Sequence, residues 1–166
     1  MLKIIEFILA DPDATHRLGK YLGQLLPVHS LVLLEGELGS GKTTLVQGIG
    51  AGLGITEPIL SPTFSIVNEY FEGTIPLYHL DVYRLSPVEI SSLYLETYWE
   101  GLEVSPGITV IEWASLLPNL PDRYLSIAFS FHPKGGRLVT LNQVGSTQLI
   151  DFTVLSCWFH QGEYPQ

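Results

Sequence analysis

Gly36-Glu37-Leu38-Gly39-Ser40-Gly41-Lys42-Thr43 fits the pattern G-x-x-x-x-G-K-[ST], in which a glycine-rich loop closes on an anion. Its surroundings suit that use. Ser30-Leu31-Val32-Leu33-Leu34-Glu35 ahead of it is a short apolar run of the kind that forms a strand buried on both faces, and residues 44–53 behind it can wind into a helix. Gly36, Gly39 and Gly41 can take positive φ, so successive backbone N–H groups can turn inward without a Cβ clash. A helix starting near Lys42 adds its N-terminal donors and the positive end of its dipole. The expected phosphate-binding run is therefore Glu37, Leu38, Gly39, Ser40, Gly41, Lys42, Thr43 and Thr44. Lys42 would reach the β- and γ-phosphates, and the Thr43 hydroxyl would ligate Mg²⁺.

Outward from the loop, the chain reads as one α/β domain. Residues 1–10 form a strand interrupted by Lys3 and Glu6, which argues against a secretory signal. Asp11-Pro12-Asp13 looks like a helix start leading into residues 14–25, and Pro27 stops that helix. Gly48, Gly50 and Gly52 interrupt the helix after the loop, each at a cost of about 1 kcal/mol relative to Ala. Close packing of that helix against the sheet accounts for them, with Gly54 as its C-terminal cap. Residues 64–71, 75–83 and 108–113 are strand-like in their β-branched and aromatic content, as are residues 124–131 and 138–142, which Pro133-Lys134-Gly135-Gly136 joins as a hairpin. Residues 87–95 read as a helix, with Ser86 and Glu89 forming a capping box. The fold class expected is a P-loop NTPase-like α/β domain with a mixed, mostly parallel sheet flanked by helices.

Composition narrows the function. The 166 residues carry 8 Lys+Arg against 17 Asp+Glu, a formal charge of −9, and no window gathers cations into a stripe that would follow a phosphate backbone. Direct, tight nucleic-acid binding is disfavoured. The lone Cys157 permits no internal disulfide and suits a reducing cytosol. No apolar run approaches the roughly 18 residues that a membrane span needs.

A phosphate loop needs acids at the same end of the sheet to complete the Mg²⁺ shell. Asp81, near the end of its strand, and Glu112, at the end of another, are the two candidates for metal binding and for orienting the attacking water. His79 shares the face of Asp81 but reads as a structural residue, and Arg84 can meet either phosphate or an acid.

Taken together, residues 36–44, Ser61-Pro62-Thr63-Phe64, His79-Leu80-Asp81-Val82-Tyr83-Arg84 and Ile111-Glu112-Trp113 resemble, in order and spacing, the TsaE family of small bacterial ATPases, also called YjeE. The resemblance runs from about residue 2 to residue 142. It implies a cytoplasmic ATPase that acts in threonylcarbamoyladenosine modification of tRNA, using ATP and Mg²⁺, with TsaB- and TsaD-type partners. Those partners would bring the tRNA, so contact with it is indirect and no membrane is involved. It further implies a switch-like loop with Ser61 and Thr63 near the γ-phosphate or Mg²⁺, Asp81 as the Walker-B-like acid, and Glu112 and Trp113 beside the site. Lys42, Asp81 and Glu112 become the expected catalytic set, and Thr43, Asp81 and Glu112 the expected metal set. Thr63 and Trp113 join the nucleotide contacts.

Gln47, Tyr94 and Ala114 depart from the family, standing where Arg, Gly and Pro are common. Residues 1–142 form the expected ATPase domain and 143–166 a C-terminal extension, within which residues 152–159 suggest an extra strand or a partner surface. A small-molecule P-loop kinase and a nucleotide-sensing module without turnover stay open as alternatives. A GTPase does not, since the guanine-reading Asn-Lys-x-Asp motif is absent from the sequence.

Overall fold

The computed structural model describes residues 3–161. The expectations for residues 1–2 and 162–166 lie outside that range. One seven-stranded sheet organises the chain: β1 (Ile4–Leu9), β2 (Leu31–Glu35), β3 (Val67–Tyr70), β4 (Leu77–Asp81), β5 (Ile108–Glu112), β6 (Tyr124–Phe131) and β7 (Arg137–Val144), in the spatial order β1-β7-β6-β2-β5-β4-β3. Strands β6, β2, β5 and β4 are mutually parallel, while β7 lies antiparallel between β6 and β1, and β3 pairs antiparallel with β4. Two antiparallel steps return β1 to the common direction, so only β7 and β3 run against it. The sheet is mixed and mostly parallel, as the sequence led us to expect.

Helices cover both faces. α1 (Pro12–Leu25), α2 (Lys42–Gly52) and α5 (Phe152–Gln161) share one core with Leu77, Ile108 and Val110 of the sheet. α3 (Pro87–Ser92) and α4 (Glu96–Glu100) cover the other face, where Tyr78, Leu80 and Ile111 point. That division follows from the period of two along β4 and β5. The caps are those the sequence suggests. Asp11 accepts the Ala14 N–H at 2.8 Å with Pro12 in the first turn, and Ser86 and Glu89 form the reciprocal capping box. Among the described residues, no helix is long and apolar enough to cross a membrane.

Four local expectations change. Residues 152–159 are helical: Phe152, Leu155 and Phe159 recur at helical spacing and bury one stripe, with the Phe159 ring edge-on to Phe7 of β1 at 4.8 Å. The strand expected over residues 64–71 shrinks to Val67–Tyr70, because Phe64 lies in a turn and Ile66 takes φ 71°. The helix expected over 87–95 breaks after Ser92, and Tyr94 turns left-handed at φ 50°. That conformation suits glycine, the residue that the family resemblance leads one to expect at this position. Of the aromatic residues that follow, Tyr98 and Trp99 pack onto the second core and Tyr94 stays exposed.

The fourth change concerns the α2 glycines. A Cβ at Gly48 would lie 2.2 Å from His16 O, and one at Gly52 would lie 2.2 Å from Lys20 O, so both glycines face the α1 backbone and not the sheet. The contact is reciprocal: a Cβ at Gly19 would lie 2.3 Å from Leu45 O, and one at Gly23 would lie 2.2 Å from Ile49 O. Two glycine pairs spaced by four residues thus let the helix axes approach closely. Gly50 instead faces Ile59, whose Cδ1 occupies the space of a Cβ. Because the obstructing atoms at Gly48 are backbone, Gly48→Ala is expected to destabilise by about 1–3 kcal/mol. For a domain of this size that lowers the melting temperature by roughly 3 to 10 °C. A variant melting with the parent protein would rule out this packing.

Candidate functional site

The parallel strands bring their C-terminal ends to one edge. There Leu34 of β2 is in register with Glu112 of β5, which is in register with Asp81 of β4. The glycine-rich loop leaves β2 at this edge, with φ of 151°, 77° and 110° at Gly36, Gly39 and Gly41. Gly41 is the N-cap residue of α2, so the loop delivers the chain into the helix with no side-chain cap. Residues expected from the motif and residues implied by the family resemblance then meet: the loop from Leu38 to Thr44, Ser61, Thr63, Asp81, Glu112 and Trp113 line one cavity of about 210 Å³. Glu37 stands at its margin and contributes a backbone carbonyl to Lys42.

Most of the polar groups at the cavity have definite partners, the buried Ser40 hydroxyl being without one among the described residues. Lys42 is buried, and its Nζ donates to Gly36 O at 2.6 Å and Glu37 O at 3.0 Å while lying 4.2 Å from the centre of the Trp113 ring. Burial pulls its pKa below the usual lysine range, with Glu112, Asp81 and Glu35 acting in the opposite sense. Thr43 Oγ1 donates to Glu112 Oε1 at 2.9 Å. Thr63 Oγ1 donates to Asp81 Oδ2 at 2.8 Å, and the Tyr83 N–H donates to Asp81 Oδ1 at 2.9 Å. Ser61 Oγ lies 2.8 Å from Thr63 Oγ1, which extends the chain of hydroxyls toward solvent. Trp113 occupies the left-handed region at φ 61° and packs its ring 4.6 Å from Tyr83, which fixes the indole at the mouth of the cavity.

The Ser-Pro-Thr-Phe segment is a tight turn closed by the Ile66 N–H on Pro62 O at 2.7 Å. A β-branched residue at positive φ is strained by about 1–2 kcal/mol, and Ile66 carries that strain three residues from Thr63. Arg84 is not among the residues that line the cavity and stacks its guanidinium 4.1 Å over Phe64. Gln47 uses its amide to reach Ile59 O at 3.0 Å, a span that needs no longer side chain.

Two residues at the site escape a reading of the sequence. His79 is fully buried, and its Nε2 lies 2.8 Å from Glu112 Oε1, so Glu112 is held from below as well as by Thr43. His79 Nδ1 has no partner among the described residues, which favours the tautomer that donates from Nε2. The shared face with Asp81 was legible, but the contact needs the β4–β5 register. Arg137 is the second, reaching the loop from β7 with no local signal in the sequence.

The donor set suits a hard cation with a triphosphate: one hydroxyl and two carboxylates, all oxygen, beside a loop of backbone N–H groups and a lysine. No group of three or more His, Cys, Asp or Glu converges as a metal cage among the described residues. That is the ordinary situation for Mg²⁺, which takes one or two carboxylates and fills its shell with phosphate and water.

The chain is similar to known proteins along most of its length. A family model described as threonylcarbamoyl adenosine biosynthesis protein TsaE matches residues 9–139. The tRNA threonylcarbamoyladenosine biosynthesis protein TsaE of Nostoc sp. is 51% identical over 145 residues, covering 87% of this chain and 90% of its own. The protein of the same name from Bacillus subtilis is 36% identical over 146 residues, covering 87% and 89%. The crystal structure of Bacillus subtilis YdiB superposes with a TM-score of 0.77 at 31% identity, covering 97% of both chains. With the family's pattern spread over most of its length and the same fold beneath it, this chain belongs to the TsaE family.

Proposed function

We propose that this chain is the ATPase subunit of the cytoplasmic machinery that makes threonylcarbamoyladenosine in tRNA, where it binds and hydrolyses MgATP to support cycling of a TsaB–TsaD complex. The observation that carries the reading is the convergence of Lys42, Thr43, Thr63, Asp81, Glu112 and Trp113 on one cavity at the mouth of the loop. The names of the relatives support the pathway. Residues 1–142 carry the activity in this reading. The 143–166 extension buttresses them through α5, which sets Phe159 against Phe7 and Trp158 edge-on to Tyr21 at 5.7 Å.

The roles follow from the contacts. Lys42 leaves the carbonyls of Gly36 and Glu37 for the β- and γ-phosphates, an ion-to-ion pairing stronger than the ammonium-to-carbonyl bonds it makes now. Thr43 and Glu112 hold Mg²⁺, which supplies neutralisation of charge on the phosphates. Asp81 orients water with the help of Thr63, whose hydroxyl can shift from the carboxylate to the γ-phosphate as the strained turn rearranges. His79 positions Glu112 from the sheet side.

Trp113 offers the direct test. Because Lys42 Nζ sits 4.2 Å from its ring, moving that cation onto phosphate changes the field at the indole. Indole fluorescence is expected to change on saturation with MgATP, and the change is expected to vanish in Trp113→Phe, which leaves Trp99 and Trp158 in place. A silent Trp113 at saturating nucleotide would count against the assignment of the cavity.

A further inference from the structure

Arg137 opens β7, one residue after the Gly135-Gly136 turn, opposite Phe131 on β6 and Leu9 on β1. Its position is tightly set. Gly136 has φ 75°, and a Cβ there would fall 2.3 Å from Leu9 O, so the hairpin end lies directly against β1. The guanidinium stacks 4.4 Å over the Phe131 ring, which limits its freedom before any hydrogen bond forms.

From there it spans to the phosphate loop. Nε donates to Ser40 O at 3.1 Å, Nη2 donates to Gly39 O at 3.2 Å, and Nη1 turns back to Gly136 O at 3.2 Å. Among the described residues the sole ion pair is His79–Glu112, so the charge of Arg137 is met by carbonyl oxygens and not by a carboxylate. Those two carbonyls belong to particular peptides. The Gly39 carbonyl shares its plane with the Ser40 N–H, which closes the loop's turn on Glu37 O at 3.0 Å. The Ser40 carbonyl shares its plane with the Gly41 N–H at the start of α2. A loop that turns N–H groups toward an anion must turn the matching C=O groups away from it. Arg137 holds the Ser40 C=O from behind in this way and the Gly39 C=O as part of the closed turn, and a hydrogen bond at a carbonyl oxygen also polarises the N–H of the same peptide.

We infer that Arg137 is a positioning residue for nucleotide binding, a two-pronged clip that fixes the Gly39–Ser40 peptide, which closes the loop's turn, and the Ser40–Gly41 peptide, whose N–H opens α2, and so holds the loop in its phosphate-binding shape. The inference rests on the nucleotide reading of the loop. It differs from a catalytic arginine in the groups it touches, which are loop carbonyls on the side away from Asp81 and Glu112. Lysine supplies the charge but not the planar fork, so it is expected to restore only part of the effect.

Three measurements separate the possibilities, the first comparing Arg137→Gln and Arg137→Lys with the parent protein by calorimetric titration of MgADP and MgATP. Arg137→Gln is expected to weaken both nucleotides by about ten- to hundredfold, the size of a lost charged hydrogen-bond pair, with Arg137→Lys intermediate. In turnover the loss falls on KM and not on kcat. Amide hydrogen exchange of the nucleotide-free Arg137→Gln protein is expected to speed up at Ser40 by about tenfold. Unchanged affinity and exchange, with only a lower melting temperature, would reduce Arg137 to a fold contact and overturn the inference. A fall in kcat at unchanged KM would overturn it too, by placing Arg137 on the transferring phosphate. Should the parent protein bind neither nucleotide, the reading of the loop fails, while exchange at Ser40 still reports on the clip.

Discussion

Lys42→Ala is expected to abolish most of the thermal stabilisation that MgATP gives the parent protein. A ligand that binds only the folded chain, present at about 100 times its Kd, adds roughly 2.7 kcal/mol of stability. For a chain of this length that is a rise of roughly 5 to 10 °C in melting temperature. Lys42 is the single cation among the residues lining the cavity, so few other groups can compensate for it. The buried amine is already matched by Gly36 O and Glu37 O, and three acids stand near enough to influence its charge. A triphosphate entering that acidic surrounding without the lysine meets Asp81 and Glu112 with Mg²⁺ as its remaining counter-charge. The quantity to compare is the nucleotide-induced shift within each protein, because the variant also leaves two carbonyls without their donor. An equal shift in Lys42→Ala would remove the loop from the binding site.

How far the site was legible in the sequence depends on the range of each contact. The loop could be read because its chemistry is local: three glycines, a lysine and a threonine act through their own backbone and the helix that follows them. Asp81 and Glu112 could be placed at strand ends because apolar runs locate a strand and the first acid after them marks its exit. Their register with one another is a property of the sheet. The same limit hid His79, which needs that register to reach Glu112, and Arg137, which touches Ser40 across 97 residues of chain. Docking of α1 on α2 was hidden for a related reason. Gly19 and Gly23 show no meaning until a second helix brings Gly48 and Gly52 against them. The misreading of residues 152–159 has a different origin. Their aromatic content favours a strand, whereas the spacing of Phe152, Leu155 and Phe159 favours a helix, and the spacing decided because burial along one stripe outweighs intrinsic propensity.

Asp81→Asn is expected to lower ATP turnover in the partner-bound state by at least about a hundredfold, the usual contribution of a group that positions or activates the attacking water. Its fold is expected to survive, since the Asn Oδ1 still accepts the Tyr83 N–H while its Nδ2, in place of Asp81 Oδ2, donates to the Thr63 hydroxyl oxygen. Glu112→Gln keeps the contacts to Thr43 and His79 but removes a charge beside the metal position, so its defect is expected mainly as a higher Mg²⁺ requirement. The assay includes TsaB and TsaD because the proposed function makes turnover depend on them. Among the described residues, no cation but Lys42 lines the cavity, and Arg84 stacks on Phe64. A missing cation or an unfinished switch loop is worth orders of magnitude in phosphoryl transfer. The isolated chain is therefore expected to turn over slowly, and docking of the TsaB–TsaD pair to accelerate it by supplying a charge or by ordering the turn from Ser61 to Ile66. Measured rates with and without the pair, for the parent protein and both variants, decide the matter. Parental turnover by both variants within the assembly would exclude both acids from the chemistry, and turnover unaffected by the pair would exclude the partner dependence.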